Sequence, residues 1–296
     1  MSSEPEFHEN LFCPACGSKD FFTMKKFGQK EKASYLEYSK LFYDKKIDFF
    51  LELFPPILCK CTSCTHIFYR YVPSESLLSI MYSSLIRSPN SPNPSRPPND
   101  LMTNEMRRLR KIIRKENPTF LDFGAGYCRW SKAAQVAGFD VIAYEPHSCR
   151  SNHDEDLAIY SSLNALANHK FDVIWLEQVL EHVIYPSKTM NQITRFMHPK
   201  TILRLNVPNV NRVKGGGSHW NDWPFNGKSS HIMAPYQHLH GFSQRSISVL
   251  HQNHNLVNVN HRIICLHDLL HVIRLYFGRR VQCLSTTKRY LIQKSK

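Results

Sequence analysis

The sequence predicts an α/β fold, a Rossmann-like sheet of seven strands preceded by a small cysteine-bearing domain of the zinc-ribbon-like kind. Three observations predict it. From Thr119 onward, short apolar runs alternate with amphipathic helical segments, the signature of a parallel α/β sheet. A Gly-x-Gly turn at Gly124 and Gly126 follows the first of these runs, and an acidic residue, Glu145, closes the second. Two Cys-x-x-Cys units, Cys13/Cys16 and Cys61/Cys64, stand before all of this in a segment of different composition.

Taken in order, residues 7–72 are aromatic-rich and carry five of the nine cysteines, which marks them as the cysteine-bearing domain. Residues 73–99 connect it to the rest. Within them, 88–99 hold five prolines and no aliphatic side chain, so they form neither a helix interior nor a ladder strand and read as a linker. A second domain then spans 100–296. Asp100 is the expected N-cap of a helix to about Glu116, with Leu101, Met102, Met106, Leu109, Ile112 and Ile113 as its apolar stripe. Strands are expected at 119–123, 140–144, 157–160, 171–176, 201–207, 257–264 and 287–293. Helices are expected near 129–137, 186–197 and 244–253, with an inserted helix at Leu266–Phe277.

Composition bounds the partners. With 42% hydrophobic and 21% charged residues the chain is neither disordered nor a coiled coil, and no uncharged apolar run reaches the ~18 residues of a membrane span. The N-terminal MSSEPEFHENLF has no basic-then-apolar pattern of a secretory signal, so the cytoplasm is the expected compartment. A net charge of +14 favours anionic partners. Half of that excess lies in residues 246–296, with eight basic side chains and one acidic, whereas residues 118–245 hold twelve and ten. Charge therefore speaks to the periphery, including nucleic acid or an anionic membrane surface as less favoured partners, and not to the crevice.

The cysteine spacing points to metal. Two Cys-x-x-Cys turns converge four thiolates on one tetrahedral site suited to Zn²⁺, with Cys13, Cys16, Cys61 and Cys64 as ligands. A closed four-thiolate site has no open position, so its role is structural. The alternatives are buried thiols or one redox dithiol; Cys59 is left over.

At the glycine turn, Asp122-Phe-Gly-Ala-Gly lets the backbone turn sharply and approach a ligand. A dinucleotide fingerprint would add a third glycine where Arg129 stands. Glu145, at the end of the next strand, is placed to accept hydrogen bonds from the two hydroxyls of a ribose.

These residues resemble the class I S-adenosylmethionine-dependent methyltransferases. Within that family the chain is similar to bacterial small-molecule and sugar methyltransferases carrying an N-terminal Cys-x-x-Cys domain. Four blocks carry the resemblance: LDFGAG at 121–126, YEP at 144–146, FDVIWLEQVLEHVIYP at 171–186, and VPN at 207–209 with QHLHGFS at 237–243. The resemblance implies the seven-stranded methyltransferase sheet, with S-adenosylmethionine as cofactor. It also implies that Asp122, Gly124 and Gly126 line the donor's methionine end, that Glu145 holds the ribose and that Gln178 lies over the methyl-donor site. Cys128 corresponds to the family's third glycine, and Ser161, Ser162 and Leu163 are the candidates for adenine contact. Met197-His-Pro-Lys-Thr replaces the Gly-Gly turn that relatives carry before strand five.

Methyl transfer from a sulfonium needs alignment, and an oxygen or carbon acceptor also needs a base. His182, following Glu181 at the expected start of a helix, is the expected base, with helix capping as its bland alternative. Some relatives bind a divalent metal through Glu-x-x-Glu-His; here Gln178 takes the first position, which disfavours a metal. The segment 215–240, with three glycines in a row, two Trp and four His, reads as an aromatic lid over the crevice and makes His238 a further site candidate. The expected reaction is methylation of a small acceptor, a sugar or nucleotide-sugar, with anionic acceptors compatible with the charge. An RNA or protein methyltransferase is the runner-up, and a binding module with a degenerate pocket comes third.

Overall fold

The computed structural model describes residues 6–43, 48–85, 97–147, 156–212, 220–225, 231–259 and 286–293. In chain order, β1 (Phe7–Glu9) and β2 (Phe21–Lys26) are followed by helices α1 (Gln29–Phe42) and α2 (Asp48–Leu53). Next come β3 (Ile57–Cys61), β4 (Ile67–Tyr69), β5 (Tyr71–Pro73) and α3 (Glu75–Ile80), which runs into a single wide turn, Met81–Leu85. The second part comprises α4 (Asp100–Ile112), β6 (Thr119–Phe123), α5 (Arg129–Val136), β7 (Asp140–Tyr144), β8 (Ala158–Tyr160) and β9 (Phe171–Glu177). It continues with α6 (Pro186–Thr194), β10 (Met197–Pro208), β11 (His240–Gly241), α7 (Gln244–Asn253), β12 (Leu256–Asn258) and β13 (Thr286–Gln293).

Seven strands form the main sheet in the order β12-β13-β10-β9-β6-β7-β8. The alternating pattern predicted a parallel sheet, and β8, β7, β6, β9 and β10 are parallel neighbours. β13 runs antiparallel to β10 and β12 antiparallel to β13, a reversal that apolar periodicity does not encode. Strand β9 is buried at six of its seven positions, as expected of a strand covered on both faces. One face packs Leu121, Ile174, Leu176, Leu203 and Leu205 against α6 and α7. The other packs Phe120, Val173 and Trp175 against Met102, Met106 and Leu109 of α4 and Ala133 and Ala134 of α5.

Several expected boundaries shift. The N-cap of α4 is Asn99 rather than Asp100: its side chain accepts from the Met102 N–H at 3.0 Å, while Asp100 joins the first turn. The helix ends at Ile112, and Leu101 of the expected stripe is exposed. Strand five starts at Met197 instead of 201, because Met197-His-Pro-Lys-Thr is taken into β10 with a register shift before Ile202. The expected strand at 257–264 is present as β12, and its end from 260 onward, the helix at Leu266–Phe277 and most of the proline-rich linker lie outside the described residues. No described helix is long and apolar enough to cross a membrane.

The N-terminal part builds on a four-stranded sheet, β11-β4-β3-β2, beside the two-stranded β1-β5. Its edge strand β11 comes from residues 240–241, so β4 finds its last partner some 170 positions downstream (His240↔Phe68). The apolar packing is shared in the same way: Leu58, Ile67, Tyr69 and Val72 pack with Ile184, Val210, Trp223, Met233 and Leu239. Helices α1 and α2 contribute Tyr35, Tyr38 and Leu51 to an aromatic cluster with Phe225 and Tyr236. Helix α1 does not stand out in the sequence, because its buried aromatic residues, Tyr35 and Tyr38, are tyrosines.

Candidate active site

The glycine turn is built by two opposite steric demands. Gly124 has φ +75°, and a Cβ there would meet Val179 Cγ2 at 2.8 Å, so only glycine lets the loop lie against the turn after β9. Gly126 has φ +56°, and a Cβ there would meet nothing within 4 Å. Its backbone faces open space. Cys128, two residues on, also holds a left-handed φ of +55°, a conformation that favours glycine. The Gly124 and Ala125 N–H groups donate to the Tyr144 carbonyl at 2.8 and 3.0 Å, tying the loop to β7.

Asp122 is buried and accepts from Ser131 Oγ at 2.6 Å; burial pushes its carboxyl up to about 7. Glu145 is also buried. One of its oxygens accepts from the Gly126 N–H at 2.7 Å and the other from the His147 N–H at 3.1 Å, so the acidic residue and the open glycine share one cradle. A carboxylate has about four lone-pair sites, and two remain for ribose hydroxyls. Open space before Gly126 thus lies beside a carboxylate with acceptor capacity. Of the adenine candidates, Ser162 is engaged in a cap, accepting from the Asn164 N–H.

On the far side of the loop, Gln178 follows β9 with φ +55° and its N–H donates to the Asn206 carbonyl. Glu181 and His182 come next in a turn; helix α6 begins only at Pro186, so His182 does not open a helix as expected from the sequence. Both carboxylate oxygens of Glu181 are buried without a hydrogen-bond partner among the described residues, and burial pushes this carboxyl up to about 8. The Leu239 and His240 N–H groups donate to the Glu181 carbonyl, which brings His238 to the same place. The His182 and His238 rings lie 4.5 Å apart, edge to face. His182 Nδ1 is 2.9 Å from the Gln237 carbonyl, and His238 Nδ1 donates to the Ile232 carbonyl at 2.6 Å. Burial lowers the pKa of His238.

One residue joins the two sides and was missed in the sequence. Tyr82, in the turn after α3, puts its hydroxyl 2.7 Å from His182 Nδ1 and stacks its ring on His147 at 5.1 Å. The contacts therefore run Glu145, His147, Tyr82, His182. A tyrosine in the connecting segment has no spacing signal, because its partners lie 65 and 100 positions away. The expected aromatic lid is described in part: Trp223 is a core residue whose Nε1 donates to the Met233 carbonyl, while 213–219 and 226–230 lie outside the described residues.

The four cysteines of the two Cys-x-x-Cys units meet, with all sulfurs within 4.8 Å of one another. The Cys13–Cys64 and Cys16–Cys61 sulfur pairs are both 3.6 Å apart. Tetrahedral Zn–S bonds of about 2.3 Å put sulfurs about 3.8 Å apart, so the set fits Zn²⁺. Burial pushes Cys16 up to about 11, whereas the hydrogen bond from Cys13 takes Cys64 down to about 6. Cys59 is buried on β3, outside the sulfur cluster.

A family model described as a methyltransferase domain matches residues 99–261, more than half of the chain. The chain belongs to the methyltransferase-domain family. The matched span holds the glycine loop, Glu145, the 178–182 turn and His238. The cysteine pairs and Tyr82 of this methyltransferase fall outside it.

Among solved structures, the methyltransferase is similar to the plantazolicin methyltransferase BpumL in complex with a monoazolic desmethylPZN analog and SAH. That pair shares 11% identity over 66% of this chain and 84% of that one, with a TM-score of 0.49. It is similar also to the Burkholderia thailandensis 1,6-didemethyltoxoflavin-N1-methyltransferase with bound 1,6-didemethyltoxoflavin and S-adenosylhomocysteine (13% identity, 67% and 80% covered, TM-score 0.43). A third is the mitomycin 7-O-methyltransferase MmcR (12% identity, 65% and 54% covered, TM-score 0.41). A comparison with curated protein sequences finds no match.

Proposed function

We propose that this methyltransferase acts on a small molecule bearing hydroxyls, of the sugar or nucleotide-sugar class, at an oxygen or carbon beside the Glu181–His182–His238 cluster. The observation that carries the reading is the contact path Glu145–His147–Tyr82–His182, which connects the cofactor cradle to a cluster able to take up a proton.

Bound S-adenosylmethionine supplies an electrophilic methyl group on a sulfonium. The chain's part is to align and to deprotonate. Asp122, Gly124 and Gly126 receive the methionine end, and Glu145 accepts from the ribose hydroxyls. Gln178 lies over the methyl-donor site in this reading. His182, whose Nδ1 lies within hydrogen-bond distance of both the Gln237 carbonyl and the Tyr82 hydroxyl, is the base that takes the acceptor's proton. His182 is the base in the absence of a metal ion at this cluster. The cysteine-bearing segment 7–72 holds a structural Zn²⁺ through Cys13, Cys16, Cys61 and Cys64, 73–99 connect, and 100–296 form the catalytic part. The connecting segment brings Tyr82 beside the acceptor side.

The test is transfer of labelled methyl from S-adenosylmethionine to a panel of sugars, sugar nucleotides, RNA and protein. Label in a small hydroxylated acceptor, lost in His182→Ala with cofactor affinity kept, is the expected result. Label only in RNA or protein overturns the acceptor class, and unchanged turnover in His182→Ala removes it as base.

A further inference from the structure

We propose that Tyr35, Tyr43 and Tyr69, which belong to the cysteine-bearing segment 7–72, are positioning residues for the two imidazoles on the acceptor side. Their hydroxyls hold the loop 231–239 in the shape that sets His182 and His238 edge to face. The consequence for turnover, though not the ring geometry, rests on the proposed role of His182 as base.

The loop carbonyls are taken up one after another. That of Met233 accepts from the Tyr69 hydroxyl at 2.6 Å and from Trp223 Nε1 at 2.8 Å. That of Pro235 accepts from the Tyr35 hydroxyl at 3.1 Å and from the Tyr43 hydroxyl at 3.5 Å. The Gln237 carbonyl then lies 2.9 Å from His182 Nδ1, which the Tyr82 hydroxyl also meets at 2.7 Å. His238 closes the loop on itself, its Nδ1 donating to the Ile232 carbonyl at 2.6 Å. The carbonyls that meet the two histidines are therefore one or two residues from carbonyls that the tyrosines hold.

The independent observation is strain in the same loop. Tyr236, directly before Gln237, has φ +64°, the left-handed region that a Cβ disfavours. Such a backbone persists only where its surroundings over-determine it, and it gathers at sites where geometry matters. Here the surroundings come from the N-terminal part. The Tyr236 ring meets Phe7 at 5.7 Å and Tyr35 at 6.1 Å, both edge to face, and its hydroxyl donates to the Phe54 carbonyl at 3.0 Å. Packing alone does not account for the tyrosines: phenylalanine buries the same ring without a polar group that must find a partner. What the hydroxyls add is a fixed place for each carbonyl.

The test is solvent exchange of the His238 ring proton, followed by magnetic resonance on full-length protein carrying ¹⁵N-labelled histidine and tryptophan. The signal is assigned by its absence in His238→Gln. The Trp175 indole proton, buried against α4 and α5, is the internal reference for global opening. Tyr35→Phe/Tyr69→Phe keeps every ring and removes two of the hydroxyls. At roughly fivefold for each hydrogen bond lost, the His238 proton should exchange at least ~10-fold faster relative to Trp175, with the affinity for S-adenosylmethionine unchanged. If the double variant does not fold, Tyr69→Phe alone should give roughly fivefold. An unchanged His238 proton, or His238 and Trp175 accelerating together, overturns the positioning role and makes the tyrosines packing residues. The exchange needs neither acceptor nor S-adenosylmethionine, so it remains decisive if the proposed function fails. Where methyl transfer is measured, turnover should fall by a similar factor; faster exchange with unchanged turnover overturns the link to the reaction.

Discussion

Substituting the two loop glycines one at a time should separate stability from ligand binding, because the structure gives them opposite surroundings at similar backbone angles. In Gly124→Ala the new methyl stands 2.8 Å from Val179 Cγ2 and 3.3 Å from Cγ1. Overpacking of that kind costs about 1–3 kcal/mol. The left-handed backbone adds about 1–2 kcal/mol for any side chain, less the ~0.4–1 kcal/mol that alanine recovers from the unfolded chain. The expected loss is about 2–4 kcal/mol. Gly126→Ala bears only the backbone part, about 1 kcal/mol, since nothing lies within 4 Å of its Cβ. The new methyl does, however, occupy the cradle beside Glu145, so S-adenosylmethionine should bind at least ~10-fold more weakly, a loss of about 1.4 kcal/mol. Urea unfolding with matched m-values measures the first effect and calorimetry the second. Repeating Gly124→Ala in a Val179→Ala background isolates the clash: there it should cost no more than Gly126→Ala. Equal stability of the two single variants, or a Gly124→Ala cost unchanged by Val179→Ala, would refute the packing described for the loop.

Other outcomes follow from the same contacts. Burial raises Asp122 to about 7, so between about pH 4 and 7 the folded state keeps a proton that the unfolded chain has lost, and stability falls as pH rises through that window. Asp122→Asn removes this contribution, and its melting temperature relative to wild type should climb from pH 4 to 8; a constant offset contradicts the buried-carboxyl account. Cys64→Ser should release the zinc and lower the thermal stability of the protein, read by elemental analysis and calorimetric scanning; full metal retention would exclude Cys64 as a ligand. Tyr82→Phe removes the hydroxyl beside His182 but keeps the ring on His147, so turnover should fall with cofactor affinity unchanged; equal losses in both would make Tyr82 a packing residue.

What was legible in the sequence was what depends on local chemistry. Strands β6 and β7 have the bounds expected from their apolar runs, α7 follows from its period, and the glycine turn and Glu145 meet as the spacing implied. Contacts set by distant partners were not legible. Strand β11 is two residues long and exists because β4 needs an edge partner, and α1 is anchored by Tyr35 donating to the Pro235 carbonyl. Tyr82 reaches the site across 100 positions, and neither its residue type nor its neighbours announce that. The same holds for the fully buried Arg204, which pairs with Glu177 and lies over the Trp175 ring at 4.0 Å; alternation alone would make an arginine in β10 a surface residue.

The central claim is that the cradle between Gly126 and Glu145 binds S-adenosylmethionine, and calorimetric titration of the full-length protein measures it most directly. Saturable binding at one ligand per chain is predicted. Glu145→Gln, which removes the charge from the ribose-binding hydrogen bonds, should weaken it by about 1.5–3 kcal/mol, roughly 10- to 150-fold. Absence of binding in folded wild-type protein, or equal affinity in Glu145→Gln, would contradict it.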